Sequence, residues 1–203
     1  MRIEIRNDKA IIDGYVNAVA RDSRPLRDKN GKRYIEQIVP GAFKRALSQN
    51  EVKLLLNHDE SRELGSTETN LTLREDAIGL RATAEIDDAE VIQKAREGKL
   101  RGWSFGFYER GATEEELASG MKRRYVEDMK LVEVSIIDDR KIPCYEATSI
   151  ETRAEGTEKA YTEPLETRAE VIERKKEEKP DLESFKNRIK KLEKHSGDMS
   201  RRK

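Results

Sequence analysis

Past Ile150 the chain stops supplying the side chains that a hydrophobic core needs. Of the 53 residues from Glu151 to Lys203, 15 are basic, 13 acidic and only 12 apolar. Burying so little apolar surface does not offset the entropy of ordering the segment. The first 150 residues hold 26 basic and 28 acidic residues, a density much closer to that of a soluble domain. The formal net charge of zero for the 203-residue chain is therefore the sum of two unlike parts. This division predicts one domain over residues 1–150, followed by a charged tail over 151–203 that is partly helical or disordered.

Several classes of protein are excluded by the same inventory. The longest aliphatic run is Leu54-Leu55-Leu56, far short of the roughly 20 apolar residues that span a bilayer. Met1-Arg2-Ile3-Glu4-Ile5-Arg6 alternates charged and apolar side chains, unlike the apolar centre of a secretory signal. A single cysteine, Cys144, rules out a disulfide framework within the chain and fits a reducing compartment. Two histidines, His58 and His195, are too few for a multi-histidine metal site, so no metal and no cofactor is expected. Zero net charge offers no chain-wide basic footprint for nucleic acid, and the basic residues near the end of the tail alternate with acidic ones.

Within the first 150 residues, period-two alternation recurs in short runs. Ile3 and Ile5, then Ala10 to Val16, read as strands. Asp28-Lys29-Asn30-Gly31 carries turn chemistry between strands, so 21–39 reads as a hairpin closed by Pro40-Gly41. Phe43, Ala46 and Leu47 fall at helical spacing. Val52 to His58 reads as a buried strand that puts His58 on the face of Val52, Leu54 and Leu56. Leu71–Leu73 and Leu80–Ile86 flank a turn at Glu75–Gly79. Asp87-Asp88 caps a helix through Ala89–Glu97, with Val91, Ile92 and Ala95 on one face and Gly98 as its stop. Trp103–Tyr108 and Leu131–Ile137 are the last clear strands, and the charged stretch between them has helical spacing near Glu114–Leu117. The pattern predicts a mainly β (α+β) fold, a closed or curled antiparallel β-barrel with a few short surrounding helices.

The tail carries two patterns of its own. Glu-Thr-Arg-Ala-Glu occurs at 151–155 and again at 166–170. After Pro180, Leu182, Phe185, Ile189 and Leu192 predict a short amphipathic helix over about 181–194 that needs a partner for its apolar face.

Three residues stand out as chemistry. His58 is a lone imidazole beside apolar residues. Ser104, in Leu100-Arg101-Gly102-Trp103-Ser104-Phe105-Gly106-Phe107, is a lone hydroxyl between glycines of its own strand parity, which leaves that face open to another backbone or a substrate. Glu133, in Leu131-Val132-Glu133-Val134-Ser135-Ile136-Ile137, shares a face with Ser135, opposite Val132, Val134 and Ile136. A strand-embedded carboxylate demands a partner. Ser104 as nucleophile, His58 as general base then acid, and Glu133 as the group that orients His58 form a coherent set. Asp59, on the opposite parity from His58, is a poorer orienter, and Asp128, Asp138 and Asp139 are further alternatives. Cys144 with His58 is the cysteine-hydrolase alternative, although Pro143-Cys144-Tyr145 offers the thiol no visible activation.

The ordered series Pro40-Gly41-Ala42-Phe43, Leu54-Leu55-Leu56-Asn57-His58-Asp59, Leu64-Gly65-Ser66, Gly79-Leu80, Leu100 to Phe107 and Leu131 to Ile136 resembles the prohead (capsid-maturation) proteases of tailed bacteriophages. The resemblance covers residues 1–150. It implies a herpesvirus-assemblin-like serine peptidase fold, a β-barrel surrounded by helices, and carries the catalytic pair onto His58 and Ser104. The related herpesviral enzymes use a second histidine as third member; this domain has none, and Glu133 takes that position. Where the family continues with a small, apolar, proline-containing segment, this chain has the more charged Ile137-Asp138-Asp139-Arg140-Lys141-Ile142-Pro143. By similarity, backbone N–H groups around Arg140 and Lys141 are the expected oxyanion donors.

The resemblance also implies partners and place. The expected substrates are the scaffold segment of the major capsid protein and the protease itself, with Arg-Ala in the repeated pentapeptide as a candidate self-cleavage site. A homodimer is expected, with no membrane and no specific nucleic acid as partner. The expected location is the host cytoplasm, with packaging inside the prohead. The competing reading is a non-enzymatic scaffolding protein with a barrel domain and a capsid-docking tail.

Overall fold

The computed structural model describes residues 1–28, 30–139, 159–161 and 169–174. Alternation makes the first strands as expected. In β1 (Arg2–Arg6) and β2 (Lys9–Ala18), Ile3, Ile5, Ala10, Ile12 and Val16 all point inward and are fully buried. β2 pairs with β8 (Gly79–Ile86), and β8 with β7 (Leu71–Glu75), through the hairpin turn expected at 75–79. Together with β12 (Glu170–Arg174) they form a five-stranded sheet in the order β12-β1-β2-β8-β7.

A seven-stranded sheet faces the same core. Its spine is one long hairpin, β9 (Leu100–Glu116) and β10 (Lys122–Asp138). β3 (Leu26–Arg27) and β4 (Arg33–Ile38) pair as the expected short hairpin. The edge of β10 away from β9 is long enough for two strands in turn: β4 runs parallel to Lys122–Val126, and β5 (Lys53–Leu56) runs parallel to Glu133–Ile136. β6 (Asp59–Ser66) pairs back onto β5, and β11 (Lys159–Tyr161) lies on the outer edge of β9.

Three expectations are corrected. The sheets do not close into a barrel: β12 and β7 end one sheet, while β11 and β3 end the main path of the other. Nor is pairing purely antiparallel, because β1–β12, β10–β4 and β10–β5 are parallel. Parallel partners lie far apart in sequence and leave no hairpin-turn signal. The charged stretch around Glu114–Leu117 is also strand and turn rather than helix. Leu117 donates its N–H to the Met121 carbonyl at 2.9 Å, and Gly120 takes a φ of 75° in the turn. Cross-strand charge pairs such as Lys122 with Glu114 satisfy a ladder that reads, as sequence, like a helix face.

Among the described residues two short helices sit against the sheets. α1 (Ala42–Leu47) buries Ala42, Phe43 and Ala46, and Phe43 packs edge-on against Phe105 at 5.2 Å between ring centroids. Burying a side chain of this size contributes about 1.5–3 kcal/mol. α2 (Ala89–Arg96) starts where Asp88 accepts a hydrogen bond from the Val91 N–H at 3.0 Å, and buries Val91, Ile92 and Ala95. Strand pairing continues beyond residue 150: Glu170 donates its N–H to the Met1 carbonyl at 2.9 Å, and Ala169 packs against the core. Arg140, Lys141, Cys144, the first Glu-Thr-Arg-Ala-Glu at 151–155 and the helix expected over 181–194 lie outside the described residues. Among the described residues no helix is long and apolar enough to cross a membrane.

Candidate active site

The inner half of the β9–β10 hairpin has two different faces. Trp103, Phe105, Val134 and Ile136 point into the main core, together with Leu54 and Leu56 of β5. The opposite face carries Glu133, Ser135 and Ile137 on β10, which lie directly across from Gly106, Ser104 and Gly102 on β9. Directly paired residues share a face. Ser104 is thus the cross-strand neighbour of Ser135, and a glycine leaves space opposite Glu133. A register shift between Leu131 and Glu133 sets this pattern. Beyond it, Leu131 rather than Val132 points into the core, so Val132 does not share the face of Val134 and Ile136. A bulge of this kind re-aims side chains.

His58 does not continue the strand of Leu54 and Leu56. Leu56 pairs with Asp59, so Asn57 and His58 are the two central residues of a tight hairpin turn between β5 and β6. Both have positive φ, 58° and 59°, as a type I′ turn requires. Asparagine tolerates this region, whereas a histidine held there stores strain of about 1–3 kcal/mol. The strain is offset by hydrogen bonds into β10. Asn57 donates its N–H to the Ile136 carbonyl at 2.9 Å and accepts from the Asp138 N–H on Oδ1 at 3.0 Å. His58 donates its own N–H to Ser135 Oγ at 3.0 Å. The turn swings the imidazole off the core face predicted for it.

The imidazole meets Glu133. His58 Nδ1 lies 2.6 Å from Glu133 Oε1, and Ser135 Oγ donates to Glu133 Oε2 at 2.6 Å. Glu133 and Ser135 are fully buried, and the His58 side chain is 10% exposed. A carboxylate withdrawn from water is costly unless both oxygens are satisfied, and here each has a partner. Hydrogen bonds to a charged group contribute about 1.5–3 kcal/mol each. Ser135 joins the arrangement: one hydroxyl fixes the carboxylate, anchors the turn of His58 and stands across the ladder from Ser104. Ser104 itself is 1% exposed.

The structure thus joins the His58 ring to a buried carboxylate and sets Ser104 directly across the ladder from Ser135, whose hydroxyl bonds both Glu133 and the His58 N–H. The family described as caudovirus prohead serine protease matches residues 1–163. The chain belongs to this family. No curated protein and no solved structure gives a match. The prohead protease is therefore a serine peptidase acting in capsid maturation, which sets aside the non-enzymatic scaffold reading, and it associates with capsid proteins in the prohead within the host cell.

The other carboxylates, Asp59, Asp128, Asp138 and Asp139, are engaged elsewhere or lie apart. Asp59 is exposed and accepts from the N–H and hydroxyl of Ser61. Asp128 lies in the outer part of the hairpin across from Gly111. Asp138 is fully buried and pairs with Lys94 of α2, which also reaches Glu90 at 3.0 Å. Asp139 is half-buried in the turn that follows β10. Sequence reasoning missed Ser135 as a positioning residue and Asn57 as the first residue of the turn. Asparagine before the histidine was the available signal. Among the described residues no group of three or more His, Cys, Asp or Glu side chains is arranged to hold a metal ion.

Proposed function

We propose that Ser104 is the nucleophile of this peptidase, His58 its general base and then general acid, and Glu133 the group that orients His58. The observation that carries this reading is the 2.6 Å contact between His58 Nδ1 and the buried Glu133. With Nδ1–H donated to the carboxylate, Nε2 is the basic nitrogen and takes the Ser104 proton as the hydroxyl attacks a scissile carbonyl. Glu133 stabilises the imidazolium that forms. The imidazolium then protonates the leaving amine, giving an acyl-enzyme on Ser104, and a water deprotonated by His58 releases it. Backbone N–H groups of Arg140 and Lys141, just past the end of β10, are assigned to the oxyanion in this reading.

The substrates proposed are the scaffold segment of the major capsid protein and the chain itself, both concentrated inside the prohead. Mass spectrometry of the protease coexpressed with its major capsid protein tests the assignment. Processing is expected with the native chain and absent with Ser104→Ala, while assembly proceeds in both. Unchanged processing by Ser104→Ala would falsify the nucleophile assignment.

A further inference from the structure

With Ser104 1% exposed, a peptide carbonyl reaches its hydroxyl only after something covering it moves. β9, the strand that carries it, has one edge paired with β10. On the other edge lies β11, a three-residue strand from the part of the chain that composition marks as tail. The pairing is antiparallel, with Lys159 opposite Tyr108, Ala160 opposite Phe107 and Tyr161 opposite Gly106. It therefore runs along β9 towards Ser104, and the same register continued by two residues comes level with Ser104.

We propose that this outer edge of β9 is where an extended peptide docks by strand addition, and that the chain's own Lys159–Tyr161 occupies it as a built-in competitor. The proposal rests on Ser104 being the nucleophile. Strand addition suits a peptidase, because main-chain hydrogen bonds hold any extended sequence while side-chain pockets select among them. Three residues make few ladder bonds, so a longer peptide can displace them. Being tethered, they nevertheless compete at a high effective concentration. The sequence after β11 is Thr162-Glu163-Pro164. Proline has no N–H with which to extend a ladder.

The test uses the full chain carrying Ser104→Ala, so that nothing is cut, and a fluorescein-labelled synthetic peptide of residues 156–164. Neighbouring residues of a strand point their N–H groups to opposite sides, so the double variant Ala160→Pro, Tyr161→Pro removes a ladder donor whichever of the two faces β9. By fluorescence anisotropy, the double variant is expected to bind the peptide at least tenfold more tightly than the chain with its native 159–161. Equal affinity, or no binding by either chain, overturns the proposal. If the prolines impair folding, the triple variant Lys159→Gly, Ala160→Ser, Tyr161→Gly weakens the strand without them and is held to the same outcomes. Because binding is measured without Ser104, its failure is distinct from failure of the nucleophile assignment, which only cleavage tests.

Discussion

The two halves of the β9–β10 hairpin share one ladder and differ in everything attached to it. In the inner half, Leu100–Phe107 against Leu131–Asp138, nearly every residue is buried on both faces. In the outer half, Val126 and Met129 still face the core, but the other residues are half-buried or exposed and form polar and charged pairs: Tyr125 donates to Glu115 at 2.6 Å, and Arg123 meets Asp22 at 2.9 Å. Glu133 and Ser135 in the inner half have specific partners and are closed off from water that could replace them. Outer-half groups can exchange partners with solvent at little cost. Backbone pairing alone therefore does not make a site; covering both faces of a short stretch of it does.

The sharpest way to break the comparison is at the inner half. Ser104→Ala or His58→Ala is expected to lower kcat/KM by roughly a thousandfold or more, with the fold retained, as measured by peptide hydrolysis alongside circular dichroism. Glu133→Gln keeps the shape of the side chain but loses the carboxylate that holds the Nδ1–H tautomer. A drop of about 10³–10⁴ in kcat is expected, and a value within tenfold of native would remove Glu133 from the mechanism. Ser135→Ala leaves the nucleophile, base and carboxylate in place while unhooking both the carboxylate and the His58 turn. Activity is expected to fall about 10–100-fold. Urea denaturation should show a loss of about 1–3 kcal/mol.

At the outer half the expected effects shrink. The guanidinium of Arg123, helped by Gln37 and opposed by partial burial, holds the Asp22 carboxyl below its ordinary range. A carboxyl lowered on folding contributes stability above its unfolded value, near pH 4, and loses it as pH falls through the folded value. Arg123→Ala should therefore destabilise the chain only slightly at pH 7, a difference that closes as pH falls through the lowered Asp22 value. A difference that persists undiminished at pH 2.5 would mean that packing, not charge, is what Arg123 supplies. Glu114→Ala, facing Lys122 in the open, should change stability by no more than about 0.5 kcal/mol and leave kcat/KM unaltered.

The same contrast explains what could be read from the residues in order. Hairpins closed by Asp and Gly, the Asp88 cap and the alternating inward residues of β2 are local patterns, and these elements stand where their chemistry puts them. His58, Ser104 and Glu133 stood out because each is a polar residue in apolar company. How His58 and Glu133 are brought together was not legible. The turn at Asn57-His58 interrupts what looks like one continuous strand, because Leu54-Leu55-Leu56 masks the asparagine as a break. The register shift before Glu133 depends on pairing with β9 and has no signature in Leu131-Val132-Glu133. A barrel was expected because hairpins announce themselves and parallel strands do not. The pairing of 159–161 and 170–174 with the domain was hidden by the charge of the segment around them.

The central claim is that Ser104 is activated by a histidine held by Glu133. It is tested most directly by treating the chain with a fluorophosphonate and mapping the adduct by peptide mass spectrometry. The account predicts one adduct, on Ser104, formed far more slowly in Glu133→Gln and absent in His58→Ala. An adduct on Ser135, or labelling that persists in Ser104→Ala, would contradict it.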